Sequence, residues 1–189
     1  MSPHSITLKY SGPAADAGQL DAYEAAGNII AFSDFLSVLA KTAYGQNVKL
    51  KTEVRAFEKG SFAVSFALDL GGIMATILSG MGSPKDLYEL AKHSFQAWKH
   101  LQGEDPKSIT RIDDQYVEVV NNSGVAATFR ADTINIVMNQ DAVASTSRFV
   151  KKALESNLER VSIEHDGELI ADASSDESCF FSHLVSGEV

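Results

Sequence analysis

The sequence contains a single cysteine, Cys179, so an internal disulfide is excluded. The N-terminal residues 1–4 lack the basic and then apolar pattern of a secretory signal. The longest apolar stretch without a charge, residues 70–83, is interrupted by glycines and is shorter than the roughly 20 residues that cross a membrane. These absences predict a protein of the reducing cytoplasm that has no transmembrane helix.

Motifs of catalysis and cofactor binding are also missing. The five histidines show neither the H-E-x-x-H spacing nor the Cys-His spacing of zinc sites. The phosphate-binding patterns G-x-x-x-x-G-K-[ST] and G-x-G-x-x-G do not occur, and neither does the G-x-S-x-G nucleophile elbow. Glu89 and His93 are four residues apart on a predicted helix, where an exposed pair is far commoner than two metal ligands. We therefore predict no catalytic, cofactor-binding or metal-binding residues.

Negative charge is concentrated in the second half of the chain. Residues 1–100 contain 9 Lys and Arg against 9 Asp and Glu, whereas residues 101–189 contain 7 against 16. An acidic surface repels phosphate backbones, so nucleic-acid binding is disfavoured. The acidic half is instead expected either to aid solubility or to dock on a basic partner surface, and the candidate partner-binding residues are Asp113, Asp114, Asp176 and Glu177.

Alternating apolar residues predict strands, several of them joined as hairpins. Residues 48–56 and 62–70 alternate on either side of a turn at Glu58-Lys59-Gly60. Two more hairpins are predicted around residues 121–124 and around Asp166-Gly167, a strong signal for a type I′ turn. Single strands are predicted at 6–10 and 134–138.

Amphipathic helices are predicted between these strands. A long helix is expected from a capping box at Asp16 and Gln19 to about Ala43, and a short buried helix at 73–81. Ser83-Pro84 opens another helix, whose apolar stripe ends before Gly103. The stripe includes Tyr88, Phe95 and Trp98, an aromatic set that favours core over a docking face. Asn139 or Asp141 is expected to cap the helix that follows.

These elements define an α+β fold in which antiparallel hairpins pack with long amphipathic helices. Residues 102–115 are polar, contain Gly103 and Pro106, and mark the change in charge, so they are the predicted boundary. We therefore predict two small domains, an α+β domain at 1–103 and an acidic, β-rich α+β domain at 116–189.

Two segments and the order of the elements carry a resemblance to a known family. The segments are R-A-F-E-K-G-S-F at 55–62 and W-K-H-L-Q-G-E-D-P-K-S-I at 98–109. In these features the chain resembles a family of uncharacterised bacterial proteins associated with prophages and other mobile elements. Residues 180–189 resemble the approach to a further β-rich domain, so the chain is expected to be a fragment or a shorter relative. The resemblance implies no activity and no catalytic residue.

Three classes of function remain open. The first is a non-catalytic interaction protein of phage or mobile-element origin, whose acidic half docks on a basic protein such as a host defence component. The second is a structural module that assembles with copies of itself through helix faces and strand edges. The third is an enzyme of unrecognised type, for which no residue pattern argues.

Overall fold

A computed structural model describes residues 5–18, 21–55, 63–69, 84–155 and 157–186. The strands are β1 Ser5–Ser11, β2 Lys51–Arg55, β3 Ala63–Asp69, β4 Ser108–Arg111, β5 Tyr116–Val120, β6 Ala126–Arg130, β7 Arg160–His165 and β8 Glu168–Ser174. The helices are α1 Pro13–Asp16, α2 Ala22–Tyr44, α3 Pro84–Leu101, α4 Ala131–Val137, α5 Gln140–Ala153 and a 3₁₀ helix at Ser175–Ser182. The α+β class is confirmed.

The larger sheet has β1 at its centre. Its strands follow the order β2-β3-β1-β7-β8, and all neighbours are antiparallel. Ile6, Leu8 and Tyr10 alternate along β1 and are buried, which is the period expected of a strand with one face on the core. α2 packs against α5, and α3 packs against α4 and β8.

Two of the predicted hairpins belong to this sheet. β2 pairs with β3 in a register that places Lys51 opposite Asp69, while the predicted turn at residues 58–60 lies outside the described residues. β7 pairs with β8 around Asp166 and Gly167, whose φ values of 50° and 82° are both positive. Only a type I′ turn requires positive φ at both central residues, so this hairpin is confirmed together with its turn type.

A second sheet consists of β4, β5 and β6 in that order. The predicted turn at residues 121–124 is confirmed, because the amide of Gly124 donates to the carbonyl of Asn121 at 2.9 Å. The buried side chain of Asn121 accepts from the amide of Val125 and donates to the carbonyl of His100, both at 2.9 Å. This side chain therefore fixes the turn to the end of α3.

The predicted strand at 134–138 is wrong, because these residues belong to α4 and the turn after it. Ile134 and Ile136 do alternate with polar Asn135, but Thr133 and Val137 are buried as well. Buried residues at positions i, i+1, i+3 and i+4 define one face of a helix. The third strand of the small sheet is instead β4, which lies inside the predicted boundary at 102–115.

Two of the predicted helix starts can be compared with the structure, with different outcomes. Asn139 caps α5, and its Oδ1 accepts from the amide of Ala142 at 3.0 Å. The predicted cap at Asp16 is wrong, because Asp16 ends the single turn of α1 and Asp21 caps α2 by accepting from the amides of Tyr23 and Glu24. The predicted helix at 73–81 lies outside the described residues.

Aromatic side chains dominate the core beneath the larger sheet. Phe32 lies 4.9 Å from both Phe66 and Phe149, measured between ring centroids, and so joins α2 to β3 and α5. The predicted stripe of α3 is buried at every position: Leu87, Leu90, Ala91, Ser94, Phe95, Trp98 and Leu101. Tyr88 is also buried, so the aromatic set of α3 is core and not a docking face.

Strand pairing and the core connect the two predicted domains, 1–103 and 116–189. β1 from the first segment pairs with β7 from the second, from Ile6 opposite His165 to Ser11 opposite Arg160. The buried residues of both segments also form one hydrophobic cluster. The described parts of the two segments therefore share a sheet and a core, because the central strand of the larger sheet needs a neighbour on each side.

Candidate functional site

The three-stranded sheet presents one face to solvent. Val117, Val119 and Phe129 point inward and are buried. Because side chains alternate along a strand, the residues between them form the opposite face. Thr110, Glu118 and Thr128 are exposed there, and lie directly opposite one another across β4, β5 and β6. We call this surface the outer face.

The turn between β4 and β5 adds two exposed apolar side chains at one end of the outer face. Ile112 is 56% exposed and Tyr116 is 40% exposed. Asp113 shapes the turn, because its Oδ1 accepts from the amides of Gln115 and Tyr116 at 2.7 and 2.8 Å. The turn therefore holds an apolar pair next to a carboxylate whose Oδ1 fixes the shape of the turn.

Asp114, in the same turn, makes one weak contact. Its side chain is fully exposed, and its Oδ1 lies 3.4 Å from Arg111 Nη2, at the weak end of hydrogen-bond geometry. Exposed pairs of this kind contribute little to stability. Asp114 is therefore available to a partner without a cost to the fold.

Asp176 and Glu177 lie on a different element, in the first turn of the 3₁₀ helix. Asp176 is exposed. Glu177 forms a capping box with Ser174, and its Oε2 lies 3.1 Å from Lys99 Nζ. Partial burial acts to raise the pKa of Glu177, but the hydrogen bonds from Lys99 and Ser174 outweigh it and lower this pKa. Glu177 therefore stabilises the fold, and the four predicted residues divide between two elements.

A groove with a volume of about 750 Å³ opens beside Tyr116. It lies among the last turn of α2, the first half of α3, the adjacent ends of β5 and β6, and α4. Its lining residues are Thr42, Ala43, Tyr44, Glu89, Leu90, His93, Tyr116, Arg130, Asp132, Thr133, Asn135 and Ile136. The groove is thus continuous with the outer face through Tyr116.

Charged side chains in the groove occur as two pairs. Arg130 forms a two-pronged ion pair with Asp132, with Nη2 to Oδ2 at 2.7 Å and Nε to both carboxylate oxygens at 3.1 Å. Glu89 Oε2 lies 3.5 Å from His93 Nε2, and His93 Nδ1 lies 3.2 Å from Gln96 Oε1. The sequence pair Glu89 and His93 is therefore brought together, and it faces a cavity.

Groups of metal ligands and membrane-spanning helices are both absent from the part of the chain that the structure describes. No group of three or more His, Cys, Asp or Glu side chains there is placed to hold a metal ion. None of the described helices combines the length and apolar character needed to cross a bilayer. The free thiol of Cys179 is exposed.

Comparison with known proteins assigns no family. No family model matches the chain, and no curated protein or solved structure matches it significantly. The resemblance to prophage-associated proteins therefore stays a prediction.

The sequence reasoning missed the exposed residues Ile112, Tyr116 and Glu118. The alternation in Tyr116–Val120 carried the signal for two of them, because inward Val117 and Val119 place Tyr116 and Glu118 on the solvent side. Ile112 was missed because the segment 102–115 was interpreted as a linker and not as a strand followed by a turn.

Proposed function

We propose that this chain is a non-catalytic interaction protein that docks on a basic protein surface through its outer face and the β4–β5 turn. The observation that carries the proposal is the exposure of Ile112 and Tyr116 next to Asp113 and Asp114. Protein interfaces typically combine a few apolar or aromatic anchors with a polar rim. Carboxylates around such anchors steer a basic partner into place and fix its orientation.

The distribution of charge supports the same partner chemistry. Glu118 lies at the middle of the outer face, and the acidic excess of the whole chain is in residues 101–189. The resemblance to proteins of prophages and mobile elements supports a partner in the bacterial cytoplasm. A component of a host defence system is the example that we favour.

Co-purification from the native host followed by mass spectrometry identifies the partner. Surface plasmon resonance over a series of salt concentrations then measures its association. We expect association to weaken steeply with salt, because exposed charges are screened over about 8 Å at physiological ionic strength. Asp114→Lys and Glu118→Lys should each slow association severalfold at low salt.

The choice of variants follows from the structure. Asp113 and Glu177 are unsuitable because their carboxylates hold a turn and a helix start. Glu168→Lys is the matched control, since Glu168 is exposed at the β7–β8 turn and makes the same change in net charge. Binding that ignores salt, or that responds equally to Glu168→Lys and Asp114→Lys, would exclude docking through the outer face.

Self-assembly is a second candidate, favoured by the outer side of α2. Tyr23 is 89% exposed and Ile30 is 61% exposed. They are seven residues apart and therefore lie on one side of the helix, two turns from each other, with exposed Ala26 between them. An apolar stripe of this kind suits a second copy of the chain.

A further inference from the structure

We infer that the groove beside Tyr116 accepts a lysine or arginine side chain of the docked basic partner, with the cationic head group held by Glu89. The inference rests on the proposed function, because Tyr116 belongs to both the docking surface and the groove. The groove volume of about 750 Å³ falls in the range of roughly 300–1,000 Å³ that is typical of ligand pockets.

The charges that line the groove favour a cation. Arg130 is neutralised by its two-pronged pair with Asp132. The carboxylate of Glu89 is then the one other acidic side chain among the lining residues. The last turn of α2 also lines the groove, and the C-terminus of a helix carries partial negative charge.

The carboxylate of Glu89 keeps hydrogen-bonding capacity for a donor from outside. Its Oε2 lies 3.5 Å from His93 Nε2, at the long limit of hydrogen-bond geometry, and the side chain of Glu89 is half exposed. A carboxylate accepts at two oxygens, so an ammonium or guanidinium group can donate to Glu89.

Tyr116 explains why the occupant is a long cationic side chain and not a free metal ion. Its half-exposed ring lines the groove, and an aromatic face attracts a lysine or arginine head group while its carbon skeleton packs against the aliphatic stem. Among the described residues, moreover, no third His, Cys, Asp or Glu joins Glu89 and His93 as a metal ligand.

The test is an NMR titration of the full chain with Nα-acetyl-arginine amide. The neutral isostere Nα-acetyl-citrulline amide is the matched control ligand. We expect saturable shifts at the amides of His93, Tyr116 and Asn135 with the arginine compound only. Glu89→Gln should weaken this binding about fivefold, as expected for an exposed charge pair, and Tyr116→Leu about threefold through loss of the cation–π contact.

Glu168→Gln is the control variant, because it removes an exposed carboxylate that does not line the groove, and it should leave the titration unchanged. Equal shifts with the citrulline compound, or arginine binding that Glu89→Gln does not weaken, would overturn the inference. If partner binding depends on salt but the arginine compound does not bind, the groove inference is wrong and the proposed docking is unaffected. If the arginine compound binds in the groove but partner binding does not depend on salt, the proposed docking is wrong and the groove inference is unaffected.

Discussion

Lys99 Nζ lies 2.7 Å from Asp172 Oδ1, and this ion pair joins α3 to the edge strand β8. The same ammonium reaches Glu177, and Arg160 Nη1 lies 2.9 Å from Asp172 Oδ2. The side chains of Lys99 and Asp172 are only 27% and 20% exposed. A charge held on an edge strand also discourages pairing with a second sheet. Asp172 and Glu177, two carboxylates of the acidic half, are therefore paired with cations of the same chain.

Lys99→Met should destabilise the protein by about 1–2 kcal/mol, because it leaves Asp172 and Glu177 without their shared cation in a partly buried site. Urea denaturation measures the loss as a lower midpoint with an unchanged slope. Lys152→Met is the control, since Lys152 forms an exposed pair with Glu155, which lies just beyond the end of α5. Equal losses of unfolding free energy in the two variants would show that the ion pairs of Lys99 stabilise the fold no more than an exposed pair does.

Acid should weaken the contacts of Glu177. Because its pKa is lowered in the folded protein, Glu177 contributes stability that is fully present above its ordinary pKa of 4.5 and is lost as the pH falls through the folded value. Glu177→Gln should therefore flatten the fall of the unfolding free energy below pH 4.5. Glu168→Gln should not, and an unchanged slope in Glu177→Gln would contradict the ion pair with Lys99.

Gly12→Ala should destabilise the protein by at least roughly 1–3 kcal/mol through backbone strain. Gly12 has φ of 126°, and an added Cβ would lie 2.7 Å from the backbone nitrogen of Glu159. Gly27→Ala is the matched control. Gly27 lies within α2, and a Cβ added there would lie 3.7 Å from Lys152 Cδ, which is an ordinary contact distance. This control should gain about 0.5–1 kcal/mol by helix propensity. A midpoint for Gly12→Ala at or above that of the unaltered protein would disprove the close approach of residues 12 and 159.

Local patterns predicted the elements whose signal is carried by adjacent residues. Asp166-Gly167 defines its turn through two positive φ values, and Asn139 defines a helix start through one side-chain hydrogen bond. The segment 134–138 was wrongly predicted as a strand, because both a strand and a short helix accommodate buried Ile134 and Ile136. Only the burial of Thr133 and Val137 decides between the two structures.

Long-range pairing could not be predicted in the same way. Nothing in the alternation of Ile6, Leu8 and Tyr10 specifies that β1 pairs with β7, about 150 residues later, because many strands offer the same period. The groove escaped prediction for a related reason. Glu89 and His93 were visible as a helix pair, but Tyr116 and Arg130 reach them only through the packing of β5 and β6 beside α3.

The two candidate functions predict different responses of the molecular mass. If the stripe of α2 binds a second copy, sedimentation should show a mass that rises with concentration above 20.3 kDa. The double variant Tyr23→Ser, Ile30→Ser should then remain at the monomer mass, because both exposed anchors are lost.

The variant Ile112→Ser, Tyr116→Ser is the control for this experiment, and it should self-associate like the unaltered protein. A constant monomer mass for the unaltered protein would remove self-assembly and leave docking on a different protein. Loss of self-association in the Ile112 and Tyr116 variant alone would instead make the second copy the occupant of the outer face. The unfolding midpoint of each double variant is compared with that of the unaltered protein, so that a change in mass is assigned to the interface and not to the fold.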